Sequence, residues 1–205
     1  MISLCYNVKR GDVMKKEKNY LYDILKVIYT FLLKLLFKPT IYGKENIPKE
    51  GPVIFVGNHI NALDPIMVMS STNRIVHYIA KEEAFKGFHG WIFKKIGLIP
   101  VNRTRANPLA VMEAEKILKS GGAIGIFPEG TRNRTKKDLL PFKRGAVIIA
   151  QRTNSKIVPF AIRGKYKLFR KNIILEFGMP IETLSEDKNE ANDELKKEVL
   201  ELLRK

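Results

Sequence analysis

Six short apolar runs rich in β-branched residues alternate with amphipathic stretches along this chain, and that alternation limits its fold more than any other feature. PVIFVG (52–57), RIVHYIA (74–80), LIPV (98–101), AIGIF (123–127), IVPFAI (157–162) and IILEF (173–177) have the length and character of buried strands. Helical candidates lie between or after them at 65–71, 88–96, 109–119, 145–152 and 191–203. Such alternation predicts an α/β fold with a single mixed, mostly parallel sheet covered by helices on both faces. Pro159 inside a run predicts an edge position or a bulge, because proline brings no N–H to a ladder. Gly121-Gly122 is the expected C-terminal stop of the 109–119 helix. The 205 residues fit one such domain and a modest appendage. We read residues 1–40 as an N-terminal basic segment and membrane-associated helix, and 41–205 as the α/β domain.

That helix is YLYDILKVIYTFLLKLLF, residues 20–37. Asp23, Lys26, Thr30 and Lys34 fall in one narrow stripe at helical spacing, and the remainder is apolar. At about 27 Å, and with three charges inside it, the segment suits the membrane interface better than a crossing. Lys15, Lys16 and Lys18 before it, and Lys38 and Lys44 after it, would sit among anionic headgroups. The competing reading is a helix packed into the domain. It does not read as a secretory signal, since charges interrupt it and Lys-Pro-Thr follows. A peripheral or monotopic position on the cytoplasmic face of the cell membrane is the expectation. Met14, followed by Lys15 and Lys16, is a candidate alternative start.

The most informative segment is GNHINALDP, residues 57–65, directly after the first strand-like run. Open α/β sheets place their chemistry at the carboxyl ends of strands, where His59 and Asp64 would lie. A continuous helix would set positions five apart at about 140°, so the pair converges only across a turn. Pro65 suits the first helical position, which makes Asp64 a natural N-cap as well as a partner for the imidazole. An imidazole steered by a carboxylate is apt for acylating an alcohol, because the hydroxyl must lose its proton as the new bond forms. No Gly-x-Ser-x-Gly elbow is present, and the one cysteine, Cys5, lies near the terminus. Direct attack by an acceptor hydroxyl is therefore expected rather than an acyl-enzyme. His77 and His89 have no acidic partner at useful spacing and are read as structural. Cysteine usage fits a reducing compartment.

NHINALD resembles the Asn-His-x₄-Asp signature of the glycerolipid acyltransferase family, and GLIPVNR (97–103), FPEGTR (127–132) and VPFAI (158–162) resemble its further blocks in order. Within the family the likeness is greatest to the bacterial 1-acylglycerol-3-phosphate branch, an α/β domain preceded by a membrane-docking helical motif. The resemblance implies that His59 and Asp64 are catalytic. It implies that Arg103, Glu129, Gly130 and Arg132, with Thr131 in the same block, serve the acceptor phosphate. Arg132 suits that role, because its planar fork binds phosphate oxygens two at a time. Glu129 sits oddly beside a phosphate, so we expect it to orient Arg132 or Arg103. Asn58 and Lys143 are further candidates. The implied reaction carries a fatty acyl group from acyl-CoA or acyl carrier protein to the sn-2 hydroxyl of lysophosphatidic acid, giving phosphatidic acid. No cofactor is expected, nor a metal, since no ligand cluster or nucleotide-binding loop is evident.

Charge agrees with anionic partners without choosing among them. Residues 1–20 hold five Lys or Arg against two acids and residues 182–205 five against eight, so residues 21–181 carry the whole net charge of +16. Phospholipid headgroups and thioester carriers both suit such a body. Two alternatives use the same features: a sibling enzyme that acylates glycerol 3-phosphate or another lysophospholipid, and a non-enzymatic basic protein on membranes or nucleic acid. The second leaves four ordered motifs unexplained, and no nucleic-acid motif is evident, so no nucleic-acid partner is expected.

Overall fold

The computed structural model describes residues 18–102, 107–182 and 185–205. Its centre is a seven-stranded sheet. The strands are β1 (Thr40–Tyr42), β2 (Val53–Gly57), β3 (Val76–Lys81), β4 (Ile99–Val101), β5 (Ala123–Ile126), β6 (Lys156–Gly164) and β7 (Ile173–Phe177). They lie in the order β1-β7-β6-β2-β5-β3-β4. Every pairing is parallel except β6 with β7. The sheet is thus mixed but mostly parallel, as the alternation predicts. β1 was not read from the sequence: three residues at an edge, none of them buried, leave no apolar run.

Helices cover both faces: α1 (Tyr20–Phe37), α2 (Asp64–Met69), α3 (Gly87–Lys95), α4 (Pro108–Lys119), α5 (Gly145–Thr153) and α6 (Lys188–Arg204). All five residues of β2 are buried, which is why its sequence is uniformly apolar instead of alternating. Ile54 and Val56 pack on one side with Leu118 of α4, Val147 of α5 and Leu195 of α6. Val53 and Phe55 pack on the other with Leu33 of α1 and Met67 and Val68 of α2. The chain leaves β2 toward one face through α2 and leaves neighbouring β5 toward the other through α5. That divergence makes their carboxyl ends the switch point at which open α/β sheets bind ligands.

The structure corrects two expectations. Pro159 lies in β6, an interior strand and not an edge, but the bulge expectation holds: the antiparallel pairing passes from Phe160–Phe177 to Ile157–Ile181, a shift of one residue in register around it. Its carbonyl accepts from Gly178 N–H at 2.8 Å, so its nitrogen faces the same side, just past Phe177 where β7 ends. The missing N–H therefore falls at the register shift, where the regular ladder is already interrupted. Arg74, expected at the start of a strand, instead donates to the carbonyls of Pro48, Gly51 and Gly121, and the strand begins at Val76.

α1 has one face packed on the domain and another that is apolar and exposed. Asn19 caps it through Tyr22 N–H, and Lys38 closes it in the left-handed region before Pro39. Tyr22 and Leu33 are buried, the Tyr22 hydroxyl accepts from Val76 N–H at 3.0 Å, and Lys26 donates to the Thr72 carbonyl. The polar stripe is thus partly turned into the domain. Tyr20, Ile24, Val27, Ile28, Phe31 and Leu35 form an exposed apolar stripe on another side. Among the described residues, no helix is long and apolar enough to cross a membrane.

Candidate active site

The segment after β2 forms a tight turn whose centre is a carboxylate. Asp64 is fully buried, and its Oδ2 accepts from Ile60 N–H at 2.7 Å, Asn61 N–H at 2.8 Å and the His59 ring at 2.9 Å. Its Oδ1 accepts from the Tyr166 hydroxyl at 2.8 Å. Four donors on one carboxylate are charge-assisted bonds, about twice as strong as neutral ones. The expected N-cap role is corrected by this arrangement. Asp64 is itself the first residue of α2, and its side chain reaches back over the preceding turn instead of forward to the helix.

His59 is held at four points. Its Nδ1 donates to Asp64, its main-chain N–H donates to Glu129 Oε1 at 2.9 Å, and its carbonyl accepts from Asn133 N–H at 2.6 Å. Its ring stacks on Phe127 with centroids 4.1 Å apart. The side chain keeps 15% of its surface open. With the proton of a neutral imidazole on Nδ1, the lone pair is on Nε2, to which no described residue bonds. That atom can take a proton from a hydroxyl that reaches the open part of the ring.

Glu129 follows β5 and is buried, and its partners among the described residues are backbone N–H groups, not Arg132. Oε1 serves His59 N–H, and Oε2 accepts from Leu140 N–H at 2.8 Å, tying the turns after β2 and β5 to the 133–144 loop. Burial pushes its pKa above the usual carboxylate range, while the two backbone donors pull the other way. Asn58 is likewise corrected from a candidate ligand to a clamp. Its amide donates to the Ile162 carbonyl at 2.9 Å and accepts from Ile162 N–H at 2.7 Å, while the residue is 1% exposed. Gly57 just before it has no room for a side chain, since a Cβ would fall 2.4 Å from the Phe160 ring.

Gly130 adopts φ +68°, which favours glycine, and the Lys143 side chain lies over it; a Cβ there would be 3.0 Å from Nζ. Thr131, Arg132 and Lys143 are exposed next to this turn. Thus the turn after β5 brings Gly130 beside Lys143, with Thr131 and Arg132 adjoining along the chain. Arg103 lies outside the described residues. His77 is buried with Nδ1 2.7 Å from the Gly97 carbonyl, away from the strand ends that carry His59. Among the described residues, no three His, Cys, Asp or Glu side chains gather as a metal site. Sequence reasoning missed Tyr166 and Phe127 as parts of the site. Phe127 opens a quoted motif and could have been found there; Tyr166 is 102 positions from its partner and gives no local signal.

A buried carboxylate, an imidazole with no described partner at Nε2 and a glycine turn beside cations thus lie at the carboxyl ends of parallel strands, an arrangement able to deprotonate a hydroxyl. The family model described as Acyltransferase matches residues 38–163, and the chain belongs to that family. It is 37% identical over 147 residues to the 1-acyl-sn-glycerol-3-phosphate acyltransferase of Borreliella burgdorferi, covering 70% of this chain and 58% of that relative. It is 38% identical over 154 residues to the protein of the same name from Bacillus subtilis, covering 73% and 74%. The crystal structure of the 1-acyl-sn-glycerophosphate acyltransferase PlsC from Thermotoga maritima aligns with a TM-score of 0.69 at 25% identity, over 87% of this chain and 75% of that one.

Proposed function

We propose that this chain transfers a fatty acyl group from a thioester to the sn-2 hydroxyl of 1-acylglycerol 3-phosphate, forming phosphatidic acid for phospholipid synthesis. The observation that carries it is the His59–Asp64 pair, 2.9 Å apart, with the ring partly exposed and no described residue bonded to Nε2. The names of the relatives supply the acceptor. In this reading Nε2 takes the acceptor's proton as its oxygen bonds to the thioester carbon, and Asp64 steadies the resulting imidazolium. Collapse of the tetrahedral adduct breaks the C–S bond, and the proton passes from His59 to the leaving sulfur.

The Gly130 turn, Thr131 and Arg132, aided by Lys143 and Arg103, hold the acceptor phosphate. Acyl-CoA and acyl carrier protein are both anionic, and either suits the positive body. The exposed stripe of α1 seats the protein on the cytoplasmic face of the membrane, where a single-chain lipid acceptor is delivered.

Radiolabelled acyl transfer in lipid micelles tests this, with lysophosphatidate against glycerol 3-phosphate and acyl-CoA against acyl carrier protein. Phosphatidic acid formed from lysophosphatidate and lost in His59→Ala is the expected result. Equal turnover by the histidine variant would refute the mechanism, and acylation of glycerol 3-phosphate alone would refute the acceptor.

A further inference from the structure

The loop between β6 and β7 has features that neither the core nor the proposed chemistry requires. No acidic residue occurs from Leu139 to Leu175, and the loop reads Lys165-Tyr166-Lys167-Leu168-Phe169-Arg170-Lys171. At its tip Leu168 is 58% exposed and Phe169 62%. Phe169 has φ +57°, a left-handed geometry that bulky side chains avoid. Glycine or asparagine would make the same turn without that strain and without holding an aromatic ring in water. Lys165, Lys167, Arg170 and Lys171 are exposed around the tip, and the last three line a shallow recess with Asn172.

The loop is fastened to α1. Phe169 N–H donates to the Leu36 carbonyl at 2.5 Å, and Phe37 packs edge-on against Tyr166 with centroids 5.4 Å apart. The exposed stripe of α1 ends at Leu35, one residue before that hydrogen bond, so the Leu168–Phe169 tip adjoins its end. Tyr166 in the same loop is the donor to Asp64.

We propose that the β6–β7 loop is a second lipid-contact element: Leu168 and Phe169 enter the interface of an anionic bilayer while Lys165, Lys167, Arg170 and Lys171 take lipid phosphates. The proposal rests on α1 being membrane-seated. Apolar side chains ringed by cations partition to such an interface, because the acyl boundary covers the one and the headgroups neutralise the other. An acidic soluble protein would match the cations but would leave the adjoining stripe of α1 in water. The lipid surface would therefore meet the same loop that holds the Asp64 carboxylate.

Flotation of the full chain with phosphatidylcholine vesicles, with and without phosphatidylglycerol, provides the test. L168S/F169S should bind anionic vesicles at least about tenfold more weakly, and K165Q/K167Q/R170Q/K171Q should lose the preference for anionic over neutral vesicles. Trp91 is the sole tryptophan, so W91F/F169W reports insertion directly, through quenching by brominated lipid. If the wild type floats, both loop variants bind like it and W91F/F169W shows no quenching, the loop is no contact element. If the wild type floats on neither vesicle, the membrane reading of α1 fails with it.

Discussion

The Tyr166 hydroxyl donates to the Oδ1 of Asp64 at 2.8 Å, on the side of the carboxylate opposite the histidine. One residue from the far side of the chain thus fixes the rotation of the group that steers the imidazole. Tyr166→Phe removes this donor and leaves Oδ1 buried and unpaired, at a cost of about 1–3 kcal/mol. We expect kcat to fall about tenfold or more with KM little changed, since Asp64 then has one fewer restraint on its orientation. Steady-state kinetics decide it: an unchanged kcat would leave the tyrosine a packing residue only.

His59→Ala and Asp64→Asn should separate chemistry from stability. Loss of the base lowers kcat by roughly 10² to 10⁴-fold. Asp64→Asn keeps an acceptor for the turn but loses the charge that steadies the imidazolium, so its rate should fall while vesicle binding persists. Turnover of the Asp64 variant within twofold of wild type would show that the carboxylate serves only the turn.

Glu129→Gln replaces an acceptor with an amide N–H facing a backbone donor, so stability should drop by about 1–3 kcal/mol. A pH dependence follows from the raised pKa of Glu129. The folded state holds this proton more tightly than the unfolded chain does, so the advantage is present at low pH. It is lost as pH rises from the unfolded value of about 4.3 toward the raised one, and is constant above. Urea unfolding across that range should show the stability difference between wild type and Glu129→Gln shrinking with pH. A difference that grows with pH would mean that the backbone donors outweigh burial.

Arg132→Ala should raise KM for lysophosphatidate more than it lowers kcat, and Arg132→Lys should restore part of the loss, because a point charge replaces only part of a two-pronged contact. Lys143→Ala added to Arg132→Ala should weaken binding further if both serve one phosphate. An Arg132→Ala enzyme with unaltered KM would place the phosphate elsewhere.

The layered fold, six of the seven strands and the positions of His59 and Asp64 were legible in the amino-acid order alone. Strands buried on both faces must be apolar throughout, and a histidine five residues before Asp-Pro at the end of such a run can reach the carboxylate only across a turn. Packing in three dimensions settled what no local pattern encodes. Pro159 fits an interior strand because the antiparallel pairing shifts register beside it, and β1 exists because β7 offers it an edge. Asp64 turns back from its helix because three N–H groups and Tyr166 converge on it. Glu129 and Asn58 hold backbone instead of ligand because folding brings His59 and Ile162 to them from 70 and 104 positions away. Spacing along a chain fixes periodicity and turns, whereas the partner of a buried polar group is whichever distant donor or acceptor packing delivers.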